Sequence, residues 1–289
     1  MSADLAAAGA VPAPRNEPYG SVLPPLVPEQ ASRIEAGRQW PLHVWRFDHS
    51  LRAICSGPYG GGIGERSWVI NATVPRDYAR LDPDAHIAEL AAGLGLTGPG
   101  AGMLTAVDVG DAVTATDGGV GVMATVGLGY PTLAAGPDEA EEIGPGDDRT
   151  DDTAAATGLA NHRGATEFVE TGNRAGTTNH AATINHRVGT INIVAFLPVP
   201  LSDAALVNAV LTATEAKVQA LMGCGFAATG TATDAVFLAC PVPGRDRAAQ
   251  PYGGPRSTWG ARLARAVHAA IDEGARRWLA VRREAGSAR

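Results

Sequence analysis

Cysteine is scarce in this chain: Cys55, Cys224 and Cys240 are the only three in 289 residues, and no two form a CxxC pair. An odd, widely spaced set offers neither a disulfide framework nor zinc-ribbon spacing, so reduced, mostly buried thiols in a cytoplasmic protein are expected. Long apolar runs are missing too, and nothing approaches the ~20 uninterrupted residues of a membrane-spanning helix. Basic residues are outnumbered, 23 Lys and Arg against 30 Asp and Glu, giving a net charge of -7 and a pI near 5.5. Such a balance carries no positive footprint for DNA or RNA, and no nucleic-acid partner is expected. The opening MSADLAAAGAVPAP lacks the basic start and apolar centre of a signal peptide and reads as a tail. No period of 20–50 residues recurs, which excludes a solenoid.

What is present is a chain that is 45% hydrophobic and 18% charged, enough apolar material for a sizeable core. Residues 1–41, rich in Ala, Pro and Glu, read as a disordered tail. A single domain is expected over 42–284. LHVWRF (42–47) and LRAICS (51–56) look like two short strands around a tight turn at Asp48-His49. GPYGGGIGER follows as a glycine-dense loop, and WVINATV as another strand. Asp82-Pro83-Asp84 starts a helix with an acidic first turn. From 103 to 126, Val109-Gly110-Asp111 and Asp117-Gly118-Gly119 are turns short enough to join antiparallel strands. The stretch at about 136–165 reads as a flexible acidic insertion: its PDEAEEIGPGDDRTDDTAAATG carries eight acids against one arginine, broken by Gly and Pro. A strand at Ile191–Val199, a helix from Ser202-Asp203 to about Met222, a strand at Ala235–Ala239 and a last helix at Thr258–Arg283 complete the chain. The expected class is α+β: a mixed, largely antiparallel sheet layered with a few long helices.

Polar residues crowd the junctions of the block from Gly189 to Asp234: Asn192, Thr214, Glu215, Lys217, Thr229, Thr231, Thr233 and Asp234. Glu215 and Lys217 are two apart on a helix, ~200° around its axis, so they share no face. Glu215 falls beside the apolar stripe Leu206, Val210, Leu211, Ala213, Val218 and Leu221. Partial burial there raises a carboxyl pKa, as suits a general base, whereas a rim carboxylate paired with arginine is the plainer alternative. The Thr229–Asp234 turn can present hydroxyls and N–H groups to a developing oxyanion, or simply feed the next strand as a hydroxyl-stabilised turn. Ser56–Gly64 lacks GxxxxGK[ST] and is either a ligand-approach turn or a bend. His162, His180 and His186 have no metal-motif spacing and read as solvated loop histidines. The arginines of the last helix read as a solvated face.

Three elements in register carry a family resemblance: Gly189-Thr190-Ile191-Asn192-Ile193, Thr214-Glu215-Ala216-Lys217, and Ala228-Thr229-Gly230-Thr231-Ala232-Thr233-Asp234-Ala235. Gly60-Gly61-Gly62, Asn71 with Val74 and Tyr78, Gly102-Met103-Leu104-Thr105, Tyr252-Gly253-Gly254 and Trp259-Gly260 add to it. Over roughly 44–272 the chain resembles the adenosylcobinamide amidohydrolase family of cobamide salvage. The resemblance implies hydrolysis of the aminopropanol amide of adenosylcobinamide to adenosylcobyric acid, with a corrinoid as partner and a homo-oligomer compatible with it. It implies substrate contacts at Gly61, Gly62, Asn71, Thr105, Thr190, Asn192, Thr214, Thr229, Thr231 and Thr233. Among the ionisable groups of the matching block, Glu215 is expected to activate water, while the Thr229–Thr233 turn with Asn192 polarises the carbonyl. Lys217 or Asp234 completes the proton transfers. A rival mechanism makes a threonine of that turn the nucleophile, and a rival function is a non-catalytic corrinoid-binding protein. No serine triad, cysteine pair or metal motif is visible, so neither cofactor nor metal is expected. The departure between Gly127 and Gly189 bears on substrate preference, for instance toward a complete cobamide.

Overall fold

The structure is a computed structural model that describes residues 26–136, 189–245 and 247–287. Among these residues, eight strands and three helices follow in the order β1 (Glu29–Glu35), β2 (Arg38–Cys55), β3 (Gly62–Thr73), α1 (Pro83–Gly93), β4 (Gly100–Thr105), β5 (Val113–Asp117), β6 (Val120–Val126), β7 (Ile191–Phe196), α2 (Asp203–Gly223), β8 (Ala235–Pro241) and α3 (Thr258–Ser287). All strands belong to one sheet in the order β4-β3-β2-β8-β7-β6-β5, with β1 paired to β2 off this path. β3–β4 and β7–β8 are parallel, with α1 and α2 in their crossovers, and the other pairs are antiparallel. The α+β class expected from the sequence is the class observed.

Period-two alternation decides which face each strand residue occupies. On β8, Ala235, Phe237 and Ala239 face an inner apolar layer, while Val236, Leu238 and Cys240 face the helices. β7 repeats this with Asn192, Val194 and Phe196 inward and Ile191, Ile193 and Ala195 outward. The outer layer is closed by α2 and α3. On α3, Leu263, Ala266, Val267, Ala270, Ile271 and Ala275 form the stripe. Gly274 lets that helix settle on β6, because a Cβ there would press within 2.9 Å of Val126 Cβ. α2 starts on Ser202, whose hydroxyl accepts the Ala205 N–H at 3.1 Å.

Four expectations are corrected. Residues 29–41, assigned to the tail, are ordered as β1 and the start of β2, where they zip together from Glu29–Val44 to Glu35–Arg38. The two strands expected around Asp48-His49 are one strand, β2, whose register against β3 slips between Arg46 and Leu51. That irregularity bends the β2–β3 ribbon, so Trp45, Val69, Ala101 and Met103 of β2, β3 and β4 pack against Met123, Val194, Phe196 and Phe237 of β6, β7 and β8. Trp45 and Phe47 then meet Phe196 at ring-centroid distances of 6.2 and 6.0 Å. Val109–Asp111 does not join neighbouring strands: it is a 3₁₀ turn in a connection between β4 and β5, which occupy opposite edges. The Asp117–Gly119 turn does close the expected antiparallel hairpin.

The fourth correction concerns α2. Its buried face is Ala205, Leu206, Ala209, Thr212, Ala213, Ala216, Lys217, Ala220 and Leu221, whereas Leu211 is 55% exposed. An alanine-rich face brings backbones close: Gly253 sits where a Cβ would come within 2.9 Å of Ala209 N. The helix is rotated from the expected stripe toward its small residues. The acidic insertion lies almost wholly outside the described residues, as do His162, His180 and His186.

Candidate active site

Two polar groups meet where β7 and β8 begin. The first is a rim built on Asp234, the last residue before β8. Asp234 Oδ1 accepts the Ile191 N–H at 2.9 Å and the Thr231 hydroxyl at 2.5 Å. Its Oδ2 accepts the Lys217 ammonium at 2.5 Å and the Thr231 N–H at 3.1 Å. Lys217 is only 8% exposed, so the carboxylate is the counter-ion of a nearly buried charge. Gly230 covers this pair closely, and a Cβ there would collide with both Lys217 Nζ and the Asp234 carboxylate. Thr233 and Thr190 share a hydroxyl–hydroxyl hydrogen bond of 2.7 Å. Thr229 accepts the Ala134 N–H at 2.8 Å, and Thr132 bonds Gly230 O at 2.8 Å. Six expected site residues, Thr190, Lys217, Thr229, Thr231, Thr233 and Asp234, therefore form one tied cluster.

The second group lies in the seam between the two halves of the folded sheet. Asn192, on the inner face of β7 and fully buried, donates through Nδ2 to Asn71 Oδ1 at 2.8 Å and Leu104 O at 2.9 Å. A backbone carbonyl only accepts, so Leu104 fixes which atom of the Asn192 amide is nitrogen. Asn71 in turn faces the Thr125 hydroxyl at 3.4 Å. Asn192 Oδ1 is buried with no hydrogen-bond partner among the described residues. Thr105 is also buried here, beside Thr73 in the β3–β4 register, but its hydroxyl is taken by the Val107 N–H at 3.1 Å.

His43 and Thr125 were not singled out from the sequence. His43 stands opposite Asn71 in the β2–β3 register and is 2% exposed. Its Nε2 lies 2.9 Å from the Gln30 amide nitrogen, and with the amide in this orientation Nε2 is the acceptor and the ring proton sits on Nδ1. Nδ1 is buried and has no partner among the described residues. Burial lowers its pKa below the ordinary histidine value, with nearby Asp108 opposing, so the ring stays neutral near pH 7. The signal that could have found it is a lone polar residue at an inward position of the apolar run LHVWRF.

The remaining expected residues lie elsewhere. Glu215 is exposed on the outer face of α2, not partly buried beside an apolar stripe. Thr214 is exposed beside it and donates back to Val210 O at 2.9 Å. Gly61 and Gly62 occupy an exposed turn into β3, with Gly62 at φ +78°. The preceding Gly60 lies against the β4 backbone, and Arg66 donates to its carbonyl at 2.7 Å. Burial pushes the Cys55 thiol up and Cys240 up to about 11, so both stay protonated near pH 7. Among the described residues, no three His, Cys, Asp or Glu side chains are grouped to hold a metal, and no helix is long and apolar enough to cross a membrane.

Comparison with known proteins follows the same ground. A family model described as adenosylcobinamide amidohydrolase matches residues 26–283. Similar curated proteins of that name occur in Methanosarcina mazei, 39% identical over 94 residues (30% of this chain, 47% of that protein), and in Halobacterium salinarum, 43% identical over 84 residues (29% and 34%). The matched segments thus span less than half the length of either relative.

Proposed function

The chain belongs to the adenosylcobinamide amidohydrolase family, and from that premise we propose that it hydrolyses the aminopropanol amide bond of adenosylcobinamide. Water adds to the carbonyl carbon, the C–N bond breaks, and the departing amine nitrogen takes a proton. The products are adenosylcobyric acid and free aminopropanol, and the balance needs no other reactant. The observation that carries this reading is the family match across 26–283, which includes both the rim and the seam.

Within this reading, the seam and the rim divide the work. Lys217 and Asp234 neutralise each other and hold the Thr229–Asp234 turn against the start of β7, where Thr190 and Thr233 share their hydrogen bond. Both hydrogens of Asn192 Nδ2 are already engaged, so Asn192 offers the substrate an acceptor and not the carbonyl-polarising donor first expected of it. Preorganised groups of this kind act in a water-poor setting where each hydrogen bond counts for more.

The test is incubation of the purified protein with adenosylcobinamide and a mass search for the aminopropanol-free product. Its appearance, dependent on protein, is the expected result. Tight binding with no product would make the chain a corrinoid-binding protein instead. The same assay with a complete cobamide measures substrate preference. Intact mass of the protein before and after turnover tests the threonine-nucleophile alternative: a stable adduct or a cleaved chain would favour it.

A further inference from the structure

Buried polar atoms in folded proteins are almost always paired, because an unmade hydrogen bond in the interior forfeits solvation without replacement. Among the described residues, two atoms in the seam break this rule, Asn192 Oδ1 and His43 Nδ1, and they flank the same residue. Asn71 is bonded to Asn192 at 2.8 Å and stands opposite His43 in the strand register. One is an acceptor with its own amide nitrogen fully used. The other is a ring N–H donor whose opposite nitrogen is occupied by Gln30. A complementary donor and acceptor held in an apolar interior match one kind of partner closely: an amide, which carries one carbonyl acceptor and one N–H donor on opposite edges of a rigid plane.

We propose that His43 and Asn192 form a seat for the scissile amide, the His43 Nδ1–H meeting its carbonyl oxygen and Asn192 Oδ1 taking its N–H. The inference rests on the hydrolase reading above and assigns that reaction's substrate to particular atoms. Gln30 is the positioning residue, since it holds the imidazole in the tautomer with the proton on Nδ1. Access follows from the strand period: Thr190, just before β7, is two residues and about 7 Å from Asn192, and its hydroxyl touches that of exposed Thr233. The inner layer below, with Trp45, Met123, Val194 and Phe237, keeps bulk water from that end. As negative charge grows on the carbonyl oxygen, a fixed N–H in such a setting gains strength, the behaviour of an oxyanion donor.

Two readouts separate this proposal from the hydrolase reading. In turnover assays, His43→Leu is expected to lower kcat/KM by about 100-fold, while His43→Asn, which returns an N–H close to the Nδ1 position, recovers most of it. Gln30→Leu is expected to give an intermediate loss with a changed pH profile, because the tautomer is no longer held. Independently, the His43 ring signals of the ¹⁵N-histidine-labelled wild-type protein are followed while acetamide, and then adenosylcobinamide, is added. A shift of the Nδ1–H resonance with both is expected. Wild-type turnover with full activity in folded His43→Leu overturns the seat and leaves the hydrolase reading standing. No turnover in the wild type, with the ring still shifting on acetamide, overturns the hydrolase reading and retains an amide seat. Ring signals that respond to neither compound mean that a buried water fills the space, and the seat is rejected.

Discussion

The rim at Asp234 and the seam at Asn192 are adjacent on the same two strands, yet one is saturated and the other is not. Every oxygen of the Asp234 carboxylate has two donors, and its cation is nearly buried. The seam keeps an acceptor and a donor without partners among the described residues. A saturated network in a low-dielectric setting specifies geometry, whereas an unsaturated one has capacity left for a ligand. Polar density in the sequence marks both alike; only the count of satisfied atoms distinguishes a brace from a seat.

The sharpest way to break this comparison is to remove the brace. Asp234→Ala strands Lys217 in the interior and is expected to cost about 3–5 kcal/mol, read as a large fall in the denaturation midpoint. Replacing both partners, Lys217→Met with Asp234→Leu, is expected to recover much of that loss, and a double variant as unstable as the single one would contradict a simple ion-pair brace. Next in size, Gly230→Ala drives a methyl into the Lys217–Asp234 pair and is expected to cost about 1–3 kcal/mol, measured by thermal unfolding.

Acidification probes the seam from the other side. His43 and His86 both sit below the ordinary value of 6.5 because burial disfavours their charged forms. The unfolded chain takes up these protons first, so stability is full above about pH 6.5 and declines as the pH falls below it. Gln30 and Asp108 face His43, while Tyr78, Glu35, Arg33, Arg80 and Glu89 surround His86. Denaturant midpoints at several pH values, in wild type and in His43→Gln, measure the share that belongs to the seam. The smallest effect is expected at Glu215. Exposed on the outer face of α2, Glu215→Gln is expected to leave turnover within about twofold and stability within about 0.5 kcal/mol. A strong loss of activity there would move the chemistry off the seam and onto the helix surface.

Much of the fold is legible in local pattern. The apolar runs INIVAF and AVFLAC mark buried strands, Ser202 marks the start of α2, and Asp117-Gly118-Gly119 closes a hairpin. The candidate site is legible in part. The three motifs of the 189–234 block do converge, because β7, α2 and the turn before β8 form one crossover unit whose ends are close in space. Asn71 joins Asn192 as well, but through a contact 121 residues distant, and Leu104, the neighbour of Thr105, through one 88 residues distant. His43 was hidden for the same reason: its significance depends on standing opposite Asn71.

The sequence by itself determined most of the helices and buried strands, the class of fold, the family and the polar character of one block, since these follow from periodicity, turn chemistry and motif spacing. Tertiary structure alone decided that β2 is one bent strand, that β4 and β5 occupy opposite edges, and that α2 turns Lys217 inward and leaves Glu215 in solvent. It also decided which polar atoms find partners. Hydrogen-bond satisfaction is a property of pairs, and strand pairing across long sequence separations brings those pairs together.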